Sequence, residues 1–156
     1  MSAIPATVAG FISAGRVGHL GTADDTGQPL VLPICYAFDG ESIFSAIDAK
    51  PKTANVERLG RIRNIRENAK VSLVIDRYDE DWTRLRHVII QGEARLLTEG
   101  ADFSRAVDLL LAKYPQYRAM GLDREAGLMI RVTPARVTDW QFAPSDGRDP
   151  TALPVS

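Results

Sequence analysis

The sequence has few of the residues on which disulfide, zinc or nucleophilic chemistry usually depends. Cys35 is the single cysteine among 156 residues, so no internal disulfide can form and the fold requires no oxidising compartment. The two histidines, His19 and His87, lie far apart, and no zinc-binding spacing is present. We find no G-x-S-x-G motif, no phosphate loop of the G-x-x-x-x-G-K type and no G-x-G-x-x-G motif. We therefore expect neither a metal site nor a conventional catalytic nucleophile, and we assign no catalytic side chain.

Long apolar runs and an excess of charge of one sign are absent as well. The formal net charge is -1, which gives no basic field for nucleic acid or for an anionic membrane. No stretch approaches the roughly 20 apolar residues of a membrane span. The N-terminus lacks the basic and apolar regions of a signal peptide. We expect a cytoplasmic protein that binds neither nucleic acid nor membrane.

Short strand patterns with helices between them fill most of the chain. The length fits a single domain, which we place at 1–143, followed by a tail at 144–156 with almost no apolar pattern. The pattern predicts helices at Ala6–Ala14, Ala54–Glu67 and Asp102–Lys113. It predicts strands at Val17–Thr22, Leu30–Phe38, Ser42–Ile47, Val71–Tyr78, Arg86–Leu97 and Gly127–Phe142.

Turn residues decide how these strands are connected. Asp39-Gly40 is typical of a hairpin, and the first three strands follow one another too closely for parallel crossovers. Pro33 marks a sheet edge or a bulge, as does Pro134, because proline cannot donate to a strand ladder. A closed barrel also removes exposed edges. The fold predicted from these signals is mainly β, a six-stranded antiparallel split β-barrel with a few short helices.

A basic loop before the second predicted helix is the strongest local signal for a ligand. Lys50, Lys52 and Thr53 bring two ammonium groups and a hydroxyl to the helix N-terminus, and these are the parts of a phosphate site. Arg58 lies in the first predicted turn, where a cation opposes the helix dipole, and an anionic ligand would explain its position. A solvated basic loop is the alternative that the spacing alone leaves open.

Two further residues have both a structural and a functional interpretation. Cys35 lies in an apolar strand, where a cysteine usually acts as a small buried hydrophobe. Trp82 follows the charged residues 79–81 in a loop, so we expect the core, a partner chain or a ligand to cover it.

The chain resembles the pyridoxamine-phosphate-oxidase-like split-barrel superfamily from about Phe11 to Trp140. VGHLGTADDTGQPLVLPICYAFDGESIFSAID is similar to its opening hairpins, and KPKTANVERLGRIRNIRENAKVSLVIDRYDEDWTRL to its phosphate-binding loop, helix and next strand. RVTPARVTDW is similar to its last strand. The order of these segments is a stronger signal than any one motif. Within the superfamily the chain looks closest to short proteins of actinobacterial type that use the deazaflavin coenzyme F-420.

This resemblance implies a homodimer with the cofactor, coenzyme F-420 or alternatively FMN, between the two barrels. It implies that Pro33, Ile34, Cys35 and Tyr36 line the tricyclic ring, largely through backbone groups, and that Ser45, Ala46 and Ile47 flank it. Lys50, Lys52, Thr53 and Arg58 would lie near the cofactor phosphate, and Trp82 would come from the loop near the partner chain.

Three functions are compatible with the resemblance. The first is an F-420-dependent oxidoreductase that transfers hydride to a small organic substrate. The second is an FMN-binding oxidoreductase, and the third is a non-enzymatic flavin- or haem-binding relative. Pyridoxamine-phosphate oxidases carry further basic residues near the C-terminus, whereas Arg148 stands alone in SDGRDPTALPVS. This difference argues against vitamin B6 oxidation.

Overall fold

In the computed structural model, residues 3–47 and 56–142 are described, and they form one curled antiparallel sheet with short helices. The helices are α1 (Ala6–Ala14), α2 (Gly60–Glu67), α3 (Ala101–Lys113) and α4 (Gln116–Ala119), with 3₁₀ turns at Val56–Arg58 and Trp82–Arg84. The strands are β1 (Gly18–Ala23), β2 (Pro29–Ile34), β3 (Ala37–Phe38), β4 (Ile43–Ile47), β5 (Lys70–Arg77), β6 (Arg86–Leu97) and β7 (Leu128–Gln141). The tail predicted at 144–156 lies outside the described residues.

The described residues form seven strands where the sequence predicted six. The predicted strand Leu30–Phe38 is divided into β2 and β3, which lie at opposite ends of the strand order β2-β1-β5-β6-β7-β4-β3. Only Cys35 and Tyr36 separate these two edge strands along the chain. Because two residues can span only a few ångströms, the sheet must curl until its edges meet. The split-barrel prediction is therefore confirmed, and the extra strand is the point where the barrel closes.

Buried side chains form two clusters on the two faces of the sheet. The interior cluster takes Val8 and Ile12 from α1 and Ile62 and Ile65 from α2. The second cluster lies between α3 and the outer face of β4 and the start of β7. Every residue of β4 is buried because successive side chains of a strand point to opposite faces, and here each face is covered.

One bulge in the long β6–β7 ladder depends on a glycine. Gln91 pairs with Arg136 while Gly92 pairs with Pro134, so β7 carries one additional residue at this point. A Cβ on Gly92 would lie 2.1 Å from the carbonyl oxygen of Thr133, which no other residue type can accommodate. The bulge predicted at Pro134 is confirmed, and Pro33 lies on the edge strand β2, as its missing donor requires.

The helices within the described ranges are short and mixed in polarity. None of them is long and apolar enough to cross a membrane.

Candidate functional site

The closure of the barrel brings together the two segments that the resemblance assigns to the cofactor ring. Ser45 Oγ donates a hydrogen bond of 2.9 Å to the carbonyl oxygen of Cys35. The pairs Ala37–Phe44 and Phe38–Ile43 then continue this contact as the β3–β4 ladder. Residues 33–36 and 45–47 are therefore neighbours, as the family resemblance implied. They are close in space although β2 and β4 are not consecutive strands of the chain.

The residues that the resemblance assigns to the ring differ in how much of their side chains is exposed. Pro33 is exposed and Cys35 is half-buried, so their side chains reach solvent. The others are buried, namely Ile34, Tyr36, Ser45, Ala46 and Ile47. Ligand contacts from this buried group would have to use main-chain atoms, which is the kind of contact that the resemblance implies. Two main-chain groups are already engaged inside the protein, namely the Cys35 carbonyl and the Tyr36 N–H.

Two hydrogen bonds anchor Tyr36. Its hydroxyl donates a hydrogen bond of 2.5 Å to the carbonyl oxygen of Ile12 at the end of α1. Its N–H donates to Tyr114 Oη at 3.3 Å, and Tyr114 in turn donates to the carbonyl oxygen of Arg16 at 2.7 Å. Burial raises the pKa of the Tyr36 hydroxyl above its usual range, with the neighbouring Tyr114 adding to the effect. The residues Cys35 and Tyr36, which link the edge strands β2 and β3, are called the crossing below. The crossing is thus fixed to both α1 and the end of α3.

Sequence reasoning did not identify the groups that hold Tyr36. Lys113 and Tyr114 stand at the end of α3, where the pattern indicates only a solvated helix terminus. In the structure the Lys113 ammonium lies 4.0 Å from the centre of the Tyr36 ring. No signal within the sequence relates these positions, because Tyr36 and Tyr114 are 78 residues apart.

The basic loop can be located only in part. Lys50, Lys52 and Thr53 lie outside the described residues. Strand β4 ends at Ile47, three positions before Lys50 in the sequence. Arg58 is exposed, and within the described ranges it forms no ion pair.

The helix after the loop begins later than predicted. The predicted helix Ala54–Glu67 is a 3₁₀ turn at Val56–Arg58 followed by α2 from Gly60, with Leu59 extended between them. A Cβ on Gly60 would lie 2.9 Å from Leu30 Cδ2, so α2 begins where a glycine lets it approach the edge strand β2. Arg58 is therefore not in the first turn of the helix, and the expected interaction between its charge and the helix dipole does not arise.

Trp82 lies on the surface of the β5–β6 connection. The side chain is 53% exposed in the 3₁₀ turn Trp82–Arg84, whose preceding residue Asp81 accepts hydrogen bonds from the Thr83 N–H and hydroxyl. Tyr78, at the start of the same connection, is 65% exposed. The core does not cover Trp82, which leaves a partner chain or a ligand among the expected alternatives.

An outer face of the barrel has no helix over it within the described ranges. The buried side chains of α1 and α2 join the interior cluster, and those of α3 pack on β4 and β7. Val74 of β5 is opposite both His19 and Ile89 in the ladders and points to this outer face with them. All three are half-exposed, and Val31 on the neighbouring edge strand is 64% exposed.

A groove lies at one end of this face. It has a volume of about 160 Å³ and is bordered by the stacked rings of His87 and Trp140, whose centres are 5.3 Å apart. Arg86 borders the groove too, but its charge is paired with Asp139 at 3.0 Å.

The pyridoxamine 5'-phosphate oxidase family model matches residues 4–141. The chain belongs to this family. Membership accounts for the split barrel, and the family is one of flavin-binding oxidoreductases. A comparison with curated proteins gives no significant match.

Solved structures share the fold at low sequence identity. A conserved hypothetical protein from Mycobacterium tuberculosis, Rv2991, is 24% identical with a TM-score of 0.68, over 90% of this chain and 86% of its own. The haem storage protein HutZ from Vibrio cholerae is 13% identical with a TM-score of 0.65, over 88% and 94% of the two chains. An F-420 reductase is 19% identical with a TM-score of 0.60, over 86% and 98%. These similarities demonstrate the fold alone.

Proposed function

We propose that this protein is an oxidoreductase that binds coenzyme F-420 and transfers hydride between the deazaflavin and a small organic substrate. One observation carries the proposal: the hydrogen bond from Ser45 Oγ to the Cys35 carbonyl joins the two ring-facing segments. The strand with Ser45 ends at Ile47, three positions in sequence before the predicted basic loop with Lys50, Lys52 and Thr53.

The described residues around the crossing fit a flat ring with an anionic tail. Pro33 and Val31 give the edge strand an exposed apolar surface, against which a planar ring can pack. Arg58 is an exposed cation without an ion pair among the described residues, and it follows the loop that contributes two lysines. Lysine and arginine are suited to a phosphate, because charge-assisted hydrogen bonds to it are strong.

In this proposal the protein positions the cofactor and the bound deazaflavin supplies the hydride chemistry. Residues 33–36 and 45–47 form the wall that orients the ring. The basic loop and Arg58 fix the phosphate end, which sets the depth at which the ring lies. A planar ring held against an apolar wall leaves one face free for substrate.

A homodimer belongs to the same proposal. A single barrel of this size is filled by its own side chains and cannot enclose a tricyclic cofactor, so a second chain has to supply a wall. The uncovered outer face with Val31, Val74 and Ile89 is suited to that contact, because half-exposed aliphatic side chains are stabilised by burial. Trp82 would then be covered by the partner chain or by the cofactor that lies between the chains.

FMN is the second candidate cofactor, and the family itself favours it. The matching family model is that of pyridoxamine 5'-phosphate oxidase, and the same phosphate-binding features would hold an FMN phosphate. The structural similarity to an F-420 reductase favours F-420, and the solitary Arg148 in the C-terminal sequence argues against vitamin B6 oxidation. Haem is a third outcome to be tested, because a haem storage protein shares the fold.

Titration of the purified protein with each cofactor distinguishes these functions. Coenzyme F-420 and FMN are followed by their fluorescence, and hemin by its Soret absorbance. We expect saturable binding of F-420 that is tighter than that of FMN, followed by oxidation of reduced F-420 in the presence of small electron acceptors. Binding of FMN or hemin in preference to F-420 would overturn the proposal and identify the alternative.

A further inference from the structure

The ammonium group of Lys113 lies buried against two aromatic rings. Its Nζ is 4.0 Å from the centre of the Tyr36 ring and 5.3 Å from that of Tyr114. The Nζ atom is buried and has no hydrogen-bond acceptor among the described residues. A buried ammonium usually has a carboxylate or several oxygen acceptors around it, so contact with ring faces alone is unusual.

The charged and titratable groups around Lys113 come from three elements. Arg16, in the α1–β1 connection, donates a hydrogen bond of 3.0 Å to the Lys113 carbonyl and lies 4.7 Å over the Tyr114 ring. Cys35 and Tyr36 face it from the barrel closure, and Tyr114 follows it at the end of α3. No described carboxylate forms an ion pair with Lys113.

This environment works against the charged form of Lys113. Burial, followed by repulsion from Arg16, lowers the pKa of Lys113 to about 8, with Cys35 acting in the opposite direction. In the unfolded chain a lysine keeps its proton up to roughly pH 10.4. Between these two values the unfolded state binds more protons than the folded state, so the free energy of unfolding rises with pH. At pH 7 the charge of Lys113 therefore lowers stability.

A residue that costs stability and contacts the candidate site is more readily explained by function than by folding. Tyr36 is one end of the Cys35–Tyr36 crossing, and Lys113 contacts its ring face while Ile12 and Tyr114 hold its polar atoms. We propose that Lys113 is a positioning residue that holds the Cys35–Tyr36 crossing in the conformation that faces the cofactor. This inference rests on the proposed function, because it concerns the wall to which the ring would bind.

Four proteins test the inference: the wild type, Lys113→Met, Lys113→Arg and Lys70→Met. Methionine keeps most of the length and apolar stem of lysine without its charge, whereas arginine keeps a cation that can lie on a tyrosine ring. Lys70 is exposed on β5 and serves as the matched control.

The first measurement uses cofactor-free protein, so it does not depend on the proposed function. Hydrogen exchange of the amides of residues 34–38 should be faster in Lys113→Met by between about twofold and about thirtyfold, the range expected for one lost cation–π contact. Lys113→Arg and Lys70→Met should exchange like the wild type. Unchanged exchange in Lys113→Met would overturn the inference.

The pH dependence separates a positioning role from a purely structural one. The free energy of unfolding of the wild type should rise between pH 8 and pH 10, and Lys113→Met should lack that rise and be at least as stable at pH 7. Above pH 10, ionisation of Tyr36 in the unfolded state lowers the free energy of unfolding of both proteins. A loss of stability at pH 7 in Lys113→Met would show that the lysine serves the fold and would overturn the inference.

The second measurement is affinity for the cofactor that the wild type binds. Lys113→Met should bind it more weakly by the same factor of about two to about thirty, and Lys113→Arg should restore most of the loss. Equal affinity in the wild type and Lys113→Met would overturn the inference. If the wild type binds neither coenzyme F-420, FMN nor hemin, the proposed function fails, while the exchange measurement still decides whether Lys113 positions the crossing.

Discussion

Ser45 Oγ lies 2.9 Å from the carbonyl oxygen of Cys35 and ties strand β4 to the crossing between the two edges of the sheet. Ser45 is one of the few polar residues that the barrel buries. Its hydroxyl shares the interior face of β4 with Ile43 and Ile47. The bond therefore lies where the fold closes and where the two segments of the proposed cofactor site meet.

Ser45→Ala should lower the free energy of unfolding by about 0.5 to 1.5 kcal/mol, because the part-buried hydrogen bond to the Cys35 carbonyl is lost. Urea unfolding measures the change. Ser13→Ala is the control, since Ser13 is exposed on α1 and the change should stay within about 0.5 kcal/mol. Equal stability of Ser45→Ala and the wild type would show that the hydrogen bond does not hold the crossing.

The β6–β7 bulge gives a second pair of variants. Gly92→Ala should destabilise the protein by at least about 1 to 3 kcal/mol, because the added Cβ meets the Thr133 carbonyl and the backbone has to shift. Gly10→Ala is the matched control, because its Cβ would meet nothing within 4 Å in the middle of α1. Alanine should there stabilise the protein by about 0.5 to 1 kcal/mol. A lower melting temperature for Gly10→Ala than for Gly92→Ala would contradict this account of the bulge.

Local signals predicted much of this fold correctly. The bounds of α1 and β6 are those of the predicted helix and strand, because apolar spacing and flanking glycine or charge define both ends. The division of Leu30–Phe38 into β2 and β3 could not be predicted in this way. The run is continuously apolar, and what breaks it is contact with Ser45 and Tyr114, which lie 10 and 78 residues away.

The candidate site was predictable to a similar extent. Family resemblance brought Cys35 and Ser45 to one place, and the structure puts them in contact. The predicted start of α2 was wrong. The helix begins at Gly60 because of its approach to Leu30, and helix propensity does not describe such a tertiary contact. Lys113 was missed for the same reason, since a lysine at a helix end is usually solvated.

The proposed dimer is tested by a charge on the uncovered outer face. Val74→Glu should give a monomer in light scattering where the wild type gives a dimer, because a carboxylate cannot be buried in an apolar contact without a partner. Val74 is half-exposed in the single chain, so the variant should still fold. Met120→Glu, at an apolar residue that is 38% exposed beyond α4, should remain a dimer. A wild-type protein that stays monomeric while it binds its cofactor would contradict the dimer.

The central claim is that a phosphate-bearing cofactor binds where the barrel closes, with its phosphate on the basic loop. The most direct test is the affinity for coenzyme F-420 of Lys50→Ala, Lys52→Ala and Arg58→Ala, with Arg63→Ala as the control. Arg63 is exposed on α2, where it borders a polar groove with Asp24, Asp25 and Glu67. All four variants should keep the stability of the wild type to within about 0.5 kcal/mol.

Each of the two lysine variants should bind more weakly by about tenfold to a hundredfold, because one charge-assisted hydrogen bond to phosphate contributes about 1.5 to 3 kcal/mol. Arg58→Ala should weaken binding in the same direction, and Arg63→Ala should bind like the wild type. If all four variants and the wild type bind F-420 with equal affinity, the loop is a solvated connection and the proposed site is wrong.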